Sequence, residues 1–296
     1  MSTAATEQLH ENAKDLDARP LAEVAEILAH AQHDASQSPL AATEAICAGA
    51  LAMARAIRAG GTLHYAAAGS SGLMAAADAL ELGGTFSIPA AQLRIHMAGG
   101  MPTGVEMPGG TEDETAELER ALAEIGPDDV LIGVSASGTT PYTVAGAKLA
   151  KTRGACVIGI ANNAGSALLN IADHAVLLQT PPEVISGSTR MGAGTAQKIA
   201  LNMLSTLMAV DLGHVHDGMM INLRADNIKL RIRARQIVTR ITGATDDTAN
   251  AAIEAAGGNL KCAILIAAGA TDLADANARL ETTGGKLRPA LSSLNT

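Results

Sequence analysis

Short apolar runs alternate with helical segments between residues 63 and 180, and this alternation constrains the fold more than any other feature. The runs are typical of buried strands and read LHYAAAG, SIPAAQLRIHMAGG, DVLIGVSASG, ACVIGIAN and HAVLLQT. Helical segments such as TEDETAELERALAEIG and PYTVAGAKLAKTRG lie between several of them. Strands that alternate with helices of this length predict an α/β fold with a doubly wound parallel sheet.

The remaining sequence predicts helices before and after the sheet in the chain. Residues 20–58 indicate two amphipathic helices that break near Ser36–Pro39, and Gly60–Gly61 ends the second. Residues 195–212 and 219–241 look continuously helical, and short helices with their own caps follow. We therefore predict an N-terminal helical segment (1–58), a sheet domain with long helices after it (59–240), and a small helical domain (241–296).

Composition limits the classes of function. Hydrophobic residues make up 48% of the 296 residues and aromatic residues only 1%, so a core built from Ala, Leu, Ile, Val and Met is expected. A net charge of −9 argues against nucleic acid as a partner. The apolar runs are too short to span a bilayer, and the polar N-terminus does not resemble a signal peptide. Three widely spaced cysteines favour reduced thiols and a cytoplasmic location.

Two junctions between a predicted strand and a predicted helix share one composition. They are Ala68–Gly72, which reads AGSSG, and Ser135–Pro141, which reads SASGTTP. Each offers small residues, hydroxyls, and a helix start whose free N–H groups carry partial positive charge. One such turn commonly serves only as a connection, but two in one sheet favour an anion site. Neither matches the P-loop or the dinucleotide fingerprint, so the expected ligand is a sugar phosphate.

Glu81 is the candidate acid. The helix that begins at Gly72 is predicted to close at Leu82-Gly83-Gly84, with Glu81 at its negative end. A carboxylate there is disfavoured as an anion, and the apolar residues of ADALELGG make burial as plausible as exposure. An exposed glutamate, tolerated at a cost of about 0.3–1 kcal/mol, is the structural alternative.

Glu112 is the candidate base. Thr111 and Glu114 have capping-box spacing, which places Glu112 in the first turn of a predicted helix. Acids are common in a first turn on structural grounds, so composition alone does not select Glu112 over Asp113. As a pair, one carboxyl held protonated and another held ionised would supply an acid and a base at neutral pH.

Three longer stretches carry a family resemblance: AAAGSSG with DALELGGTF, DVLIGVSASGTTPYTVAGAKLAKTRG, and PPEVISGSTRMGAGTAQKIALNMLST. They resemble the N-acetylmuramic acid 6-phosphate etherases, members of the sugar isomerase (SIS) fold group that includes the glucokinase regulatory protein. The resemblance runs from about Ala22 to Gly285. It implies that the last 50 or so residues form a small helical domain related to ubiquitin-associated domains, and that the protein works as a homodimer.

The resemblance also implies a reaction: cleavage of the D-lactyl ether at C3 of the sugar without metal or cofactor. The family's acid lies in the motif DA-x-E, here Asp78-Ala79-Leu80-Glu81, and its base in the segment after AGG, here Glu112. The expected substrate-binding residues, taken from the two junctions and the third motif, are Gly69, Ser70, Ser71, Gly72, Ser135, Ser137, Gly138, Thr139, Thr140, Glu183, Ser188, Thr189, Arg190 and Lys198.

The sequence departs from the family at three cationic positions. The family usually reads GTSGR, SGRTP and RMKAGT, whereas this chain has Leu73, Thr139 and Gly192 in place of the cations. A hydrogen bond to a charged group contributes about 1.5–3 kcal/mol, so these losses would weaken binding of an anion. The departures suggest a substrate with a different acidic group.

Two alternatives stay open at this point. A sugar-phosphate isomerase would need a base between C1 and C2 and commonly a histidine for ring opening. The available histidines are His64, His96, His174, His214 and His216. A non-catalytic sensor of sugar phosphates would not need both Glu81 and Glu112. A metal pair at His214 and His216 is disfavoured, because alternate positions on a helix face different ways and no third ligand is near.

Overall fold

The computed structural model describes residues 5–107 and 109–294, and the chain divides into two compact units. The first contains residues up to Leu80 together with Ala91–Leu207, and the second contains Glu81–Ala90 and the chain from Met208 onward. No single helix in the described ranges is long and apolar enough to cross a membrane. The bent pair Leu21–Ala41 and Thr43–Ala59 meets that criterion by length and composition only when taken together.

Five parallel strands form the sheet of the first unit, which confirms the predicted fold class. In chain order they are β1 (Leu63–Ala67), β2 (Leu93–Met97), β3 (Val130–Ser135), β4 (Cys156–Ala161) and β5 (His174–Leu177). Their order in the sheet is β2-β1-β3-β4-β5, so the direction of winding reverses between β1 and β3. Leu63 pairs with Leu93 on one side and with Val130 on the other, which sets the register at this central strand.

Eight helices accompany this sheet in the described chain: α1 (Leu21–Ser36), α2 (Ser38–Ala41), α3 (Thr43–Ala59), α4 (Gly69–Phe86), α5 (Ala116–Ala121), α6 (Pro141–Thr152), α7 (Ala167–Ile171) and α8 (Gly192–Asp211). The predicted break near Ser36–Pro39 is confirmed, with Pro39 in the first turn of α2. Gly60 ends α3 at φ +82°, a conformation that glycine adopts without strain.

Helices cover both faces of the sheet. On one face, a β-carbon added to Gly49 of α3 would stand 2.9 Å from a Leu204 methyl of α8 and 3.2 Å from Ile158 of β4. On the other face, a β-carbon on Gly133 of β3 would stand 3.1 Å from Leu168 of α7 and 3.2 Å from Thr143 of α6. Every residue of β1 and β3 is buried, which explains why their sequences are mostly apolar, with His64 and Ser135 as the exceptions.

The second unit has its own core. A hairpin of β6 (Val215–His216) and β7 (Met219–Met220) precedes α9 (Ile228–Thr242), α10 (Asp246–Ala255), α11 (Leu260–Ala267), α12 (Leu273–Thr282) and α13 (Leu287–Ser292). The helix α11 is the most buried, and its apolar side chains pack with those of α9 and α10. The side chains that cap α9 to α12 accept the N–H three residues ahead and are Asn227, Thr245, Asn259 and Asp272.

The predicted continuous helix over 219–241 is wrong. Met219 and Met220 form β7, and a loop follows until Asn227 caps α9. Tertiary hydrogen bonds hold this loop, because Ser87 Oγ donates to the carbonyl of Asn222 at 2.6 Å and the Asn222 side chain donates to the Phe86 carbonyl at 2.9 Å. These bonds prevent Asn222 from joining a helical ladder.

Candidate active site

The two hydroxyl-rich junctions follow neighbouring strands of the sheet. β1 leads into residues 68–72, called here the first loop, and β3 leads into residues 135–141, called the second loop. Open α/β sheets bind ligands beyond the carboxyl ends of the strands where the winding reverses, and β1 and β3 flank that point. The fold therefore brings together the two segments that the sequence singled out.

The first loop is open to close approach. Gly69 has φ +52° and begins α4, with Ser70 and Ser71 half-buried in its first turn. A β-carbon on Gly72 would stand 3.0 Å from Cγ of Met97, so glycine lets α4 pack against the end of β2. A helix N-terminus with little side-chain bulk in front of it suits an anionic group.

The hydroxyls of the second loop bond to one another. Ser135 Oγ lies 2.9 Å from Thr140 Oγ1 and 3.3 Å from Ser137 Oγ, and it accepts the N–H of Gly138 at 3.0 Å. Ser137 Oγ accepts both the N–H and the hydroxyl of Thr139, at 3.1 and 3.0 Å. Because a hydroxyl can rotate to donate outward, these mutual bonds can be exchanged for bonds to a ligand oxygen.

Gly138 gives the second loop its shape. Its φ is +70°, and a β-carbon there would stand 2.2 Å from Ser166 Oγ, closer than two such atoms can approach. Its carbonyl accepts the N–H of Leu168 at 3.0 Å. The loop is thus held directly against the start of α7, and only glycine fits.

Glu112 lies beside the first loop, but it is not in the first turn of a helix as predicted. The helix expected to begin at Thr111 begins at Ala116, and Thr111 Oγ1 makes no hydrogen bond within the described residues. Instead the Glu112 carbonyl accepts the N–H of Tyr142 at 2.9 Å, in the first turn of α6. Its exposed carboxylate has Oε1 3.4 Å from the point a β-carbon on Gly69 would occupy. The positive field near this carboxylate is that of α4.

Glu81 occupies a different setting from the one predicted. The helix α4 continues through Gly83 and Gly84 to Phe86, so Glu81 lies more than one turn before its end. The expectation that Leu82-Gly83-Gly84 closes the helix is wrong, and the side chain is exposed rather than buried. Helix-dipole effects fall off within the last turn, so the dipole argument does not apply to Glu81.

The third motif surrounds the start of α8. Glu183 is 5% exposed, and its two carboxylate oxygens each accept one backbone N–H at 2.9 Å, from Gly192 and Ala193. This carboxylate therefore caps α8 and is engaged by the protein itself. Between Glu183 and the helix, Ser188 and Thr189 are half-buried in a turn. Arg190 and, six residues into α8, Lys198 are exposed.

The three positions that lack a family cation differ in their surroundings. Leu73 is partly exposed on the first turn of α4, and Thr139 directs its hydroxyl to Ser137 within the second loop. A β-carbon on Gly192 would stand 3.2 Å from a Glu183 oxygen and 3.3 Å from Ala35 Cβ. Leu73 and Thr139 therefore offer room for a longer side chain, whereas Gly192 is closely packed.

Asp78, the first residue of the DA-x-E motif, has a structural role that the sequence did not predict. It is 5% exposed and accepts hydrogen bonds from Asn202 Nδ2 and Ser205 Oγ, both at 2.8 Å, and from Tyr65 Oη at 3.1 Å. Burial and the adjacent carboxylate raise the pKa of Tyr65 well above its usual value. The network joins α4 to β1 and α8. The available signal was a second carboxylate, besides Glu81, among the alanines and leucines of α4.

Two of the candidate histidines bond to each other. His64 Nδ1 and His96 Nε2 are 3.0 Å apart on β1 and β2, and the rings stack with centroids 5.3 Å apart. Burial lowers the pKa of His64 and, most strongly, that of His96, to about 4. Both rings are therefore neutral near pH 7 and contact each other within the sheet.

Comparison with known proteins gives one matching domain family and relatives that share one name. Residues 111–207 match the SIS domain family. The chain is 43% identical over 288 residues to the N-acetylmuramic acid 6-phosphate etherase of Deinococcus radiodurans, covering 97% of this chain and 94% of that protein. It is 38% identical to the protein of the same name from Streptomyces avermitilis, covering 99% and 95%.

A solved structure supports the fold alone. A Bacteroides fragilis protein assigned as a phosphosugar isomerase involved in capsule formation superposes with a TM-score of 0.51 at 21% identity. The match covers 67% of this chain and 94% of that one. With relatives this similar over nearly their whole length, the chain belongs to the N-acetylmuramic acid 6-phosphate etherase family, within the SIS fold.

Proposed function

We propose that this protein is a carbon–oxygen lyase that cleaves the D-lactyl ether of N-acetylmuramic acid 6-phosphate. The products are N-acetylglucosamine 6-phosphate and D-lactate, which are intermediates expected in recycling of peptidoglycan amino sugars. The observation that carries the proposal is the carboxylate of Glu112 beside the first loop in a member of this family. A base next to an anion-binding loop suits proton abstraction from a sugar phosphate.

Glu112 acts as the base. The sugar opens to its C1 aldehyde, which acidifies the proton on C2, and Glu112 removes that proton. The C3–oxygen bond then breaks, with Glu81 donating a proton to the departing lactate oxygen. Water adds to C3 of the unsaturated aldehyde and a proton returns to C2, so the overall reaction consumes one water. Glu112 returns its proton to C2 and Glu81 takes the second proton of the added water, so each carboxyl group ends in the protonation state in which it began.

The two loops bind the substrate in this proposal. Backbone N–H groups at the start of α4, with Ser70 and Ser71, hold one anionic or hydroxyl group. The second loop holds another through Ser135, Ser137 and Thr140. The third motif contributes Ser188 and Thr189, and Arg190 and Lys198 supply positive charge. Glu183 acts indirectly, because its carboxylate caps α8.

The missing cations bear on which substrate is preferred. Leu73 and Thr139 stand where the family pattern has arginine, and both offer space for one. We expect this protein to bind N-acetylmuramic acid 6-phosphate more weakly than the relative from Deinococcus radiodurans, or to prefer an ether-bearing sugar acid with a different anionic group. Measuring kcat/KM of both proteins side by side decides this, since equal values would exclude an altered preference.

A homodimer in the cytoplasm is also part of the proposal. Leu40 and Leu80 are 70% and 68% exposed, and a second copy of the chain would cover such apolar side chains. Light scattering on the purified protein tests the dimer, and a monomer at micromolar concentration would exclude it.

The experiment that tests the function is a turnover assay on N-acetylmuramic acid 6-phosphate. Wild type is expected to release D-lactate, and Glu112→Gln and Glu81→Gln are each expected to abolish release while still binding the substrate. Glu114→Gln is the matched control, because Glu114 is an exposed acid two residues from Glu112. Conversion of a hexose 6-phosphate to a ketose, with no lactate released from the ether, would favour the isomerase alternative instead.

A further inference from the structure

Thr6, near the N-terminus, is buried although the residues that follow it are exposed. Ala5–Glu7 form a short 3-10 turn in which Thr6 is 5% exposed. The residues that follow, Glu7, Gln8 and Leu9, are exposed, and Leu9 is 75% exposed in spite of being apolar. The threonine therefore attaches this segment to the rest of its unit.

The attachment is a pair of hydrogen bonds to Asn163, which lies 157 residues away, just beyond β4. Asn163 Nδ2 donates to Thr6 Oγ1 at 3.0 Å, and the Thr6 N–H donates to Asn163 Oδ1 at 3.4 Å. Thr6 thus presents an acceptor to the amide nitrogen and a donor to the amide oxygen. Only one orientation of the Asn163 carboxamide satisfies both bonds.

That orientation matters for the second loop. The same Nδ2 lies 3.4 Å from the carbonyl oxygens of Ala136 and Ser137, and the Asn162 N–H donates to the Ala136 carbonyl at 3.0 Å. With the amide reversed, Oδ1 would face two carbonyl oxygens and repel them. In the observed orientation Nδ2 faces both carbonyls as a donor, so the Asn163 amide holds the backbone of the second loop.

We propose that Thr6 is a positioning residue for the second loop, acting through the Asn163 carboxamide. The inference rests on the proposed function in one respect, namely that the second loop binds part of the substrate. Thr6 fixes which end of the Asn163 amide faces Ala136 and Ser137, and this keeps the loop in the conformation that binds. The N-terminal segment is then part of the substrate-binding machinery although it lies far from the loop in sequence.

The test compares Thr6→Val with Thr6→Ser. Valine keeps the shape and the backbone N–H but removes the acceptor for Asn163 Nδ2, whereas serine keeps the acceptor. Thr6→Val is expected to increase amide hydrogen exchange in residues 136–140 and to raise KM for N-acetylmuramic acid 6-phosphate about 3- to 10-fold, the factor that one hydrogen bond supplies. Its kcat is expected to stay within about twofold of wild type, and Thr6→Ser is expected to resemble wild type in both measurements.

A substitution at the next residue is the control for Thr6→Val. Amide hydrogen exchange distinguishes failure of the positioning role from failure of the proposed function. Glu7→Gln alters an exposed residue of the same turn and is expected to change neither exchange nor KM. If wild type fails to turn over the substrate, the proposed function is wrong, and exchange at 136–140 still decides the positioning role. The inference would be overturned if a folded Thr6→Val variant showed wild-type amide hydrogen exchange in residues 136–140. It would also be overturned if Thr6→Ser lost as much protection from exchange as Thr6→Val.

Discussion

Oε1 of Glu112 lies 3.4 Å from the point that a β-carbon on Gly69 would occupy, at the first residue of α4. The Glu112 carbonyl meanwhile accepts the N–H of Tyr142 at the start of α6. One residue therefore lies beside the first residue of α4 and accepts a hydrogen bond from the first turn of α6. This arrangement fixes the base in a place where the N-terminus of α4 favours a negative charge on a ligand.

Glu112→Gln is expected to lower kcat by about 100- to 10,000-fold, the range for loss of a general base, with little change in substrate affinity. The glutamine keeps the size of the side chain and the backbone bond to Tyr142. Kinetics with N-acetylmuramic acid 6-phosphate and calorimetric binding to the inactive variant measure the two quantities. A variant that keeps wild-type kcat would remove Glu112 from the mechanism.

Gly138→Ala is expected to destabilise the protein by about 2–5 kcal/mol, from backbone strain together with overpacking, and to raise KM. Its φ is positive, and the new methyl would stand 2.2 Å from Ser166 Oγ. Gly165→Ala is the control, because Gly165 also has positive φ but nothing lies within 4 Å of its β-carbon position. Backbone strain alone costs about 1–2 kcal/mol, so the control should lose no more than that in chemical denaturation. Equal losses in the two variants would show that the contact with Ser166 has no effect.

Tyr65→Phe is expected to lower the free energy of unfolding by about 1.5–3 kcal/mol, since it deletes a hydrogen bond to the buried carboxylate of Asp78. Tyr142→Phe is the matched change, because Tyr142 is also buried but its pKa is raised by burial and by the charge of Glu117 rather than by a hydrogen bond to a carboxylate. This change is expected to lower the free energy of unfolding much less, as measured by urea denaturation. A small effect of Tyr65→Phe would mean that Asn202 and Ser205 suffice to hold Asp78.

Stability is expected to fall as the pH drops from about 6.5 toward 4. Burial lowers the pKa of His96 to about 4, so the folded protein keeps this ring neutral while the unfolded chain takes up a proton below its ordinary pKa of 6.5. The contribution of the neutral His96 ring to the free energy of unfolding is fully present above pH 6.5. It is lost as the pH falls toward 4, and its size is on the order of 2–3 kcal/mol. His96→Gln should flatten the dependence of the unfolding free energy on pH. An unchanged slope would assign the acid sensitivity to other groups.

The sheet could be predicted because its strands are nearly continuous apolar runs separated by helical segments. The strand of DVLIGVSASG is the buried β3, and the first loop follows LHYAAAG as the pattern indicates. Both loops could be located for the same reason, since their glycines and hydroxyls stand where strands end. In these segments the local signals and the tertiary packing agree.

Other parts of the site depend on contacts distant in sequence. Thr111 and Glu114 match a capping box, yet the carbonyl of Glu112 is taken by Tyr142, and the helix starts later. The two glycines after Leu82 predicted a helix end, but both continue α4. Thr6 lies in a polar segment with no pattern, and its partner Asn163 follows β4. None of these pairings has a sequence period that predicts it.

The measurement that tests the proposed reaction most directly is turnover of N-acetylmuramic acid 6-phosphate in ¹⁸O-water, with both products analysed by mass spectrometry. Elimination followed by hydration breaks the bond between C3 and the ether oxygen, so the lactate should carry no ¹⁸O in its hydroxyl and the sugar should gain ¹⁸O at C3. Label in the lactate hydroxyl would show cleavage on the other side of the ether oxygen. That result, or no release of lactate by wild type, would contradict the lyase mechanism built on Glu81 and Glu112.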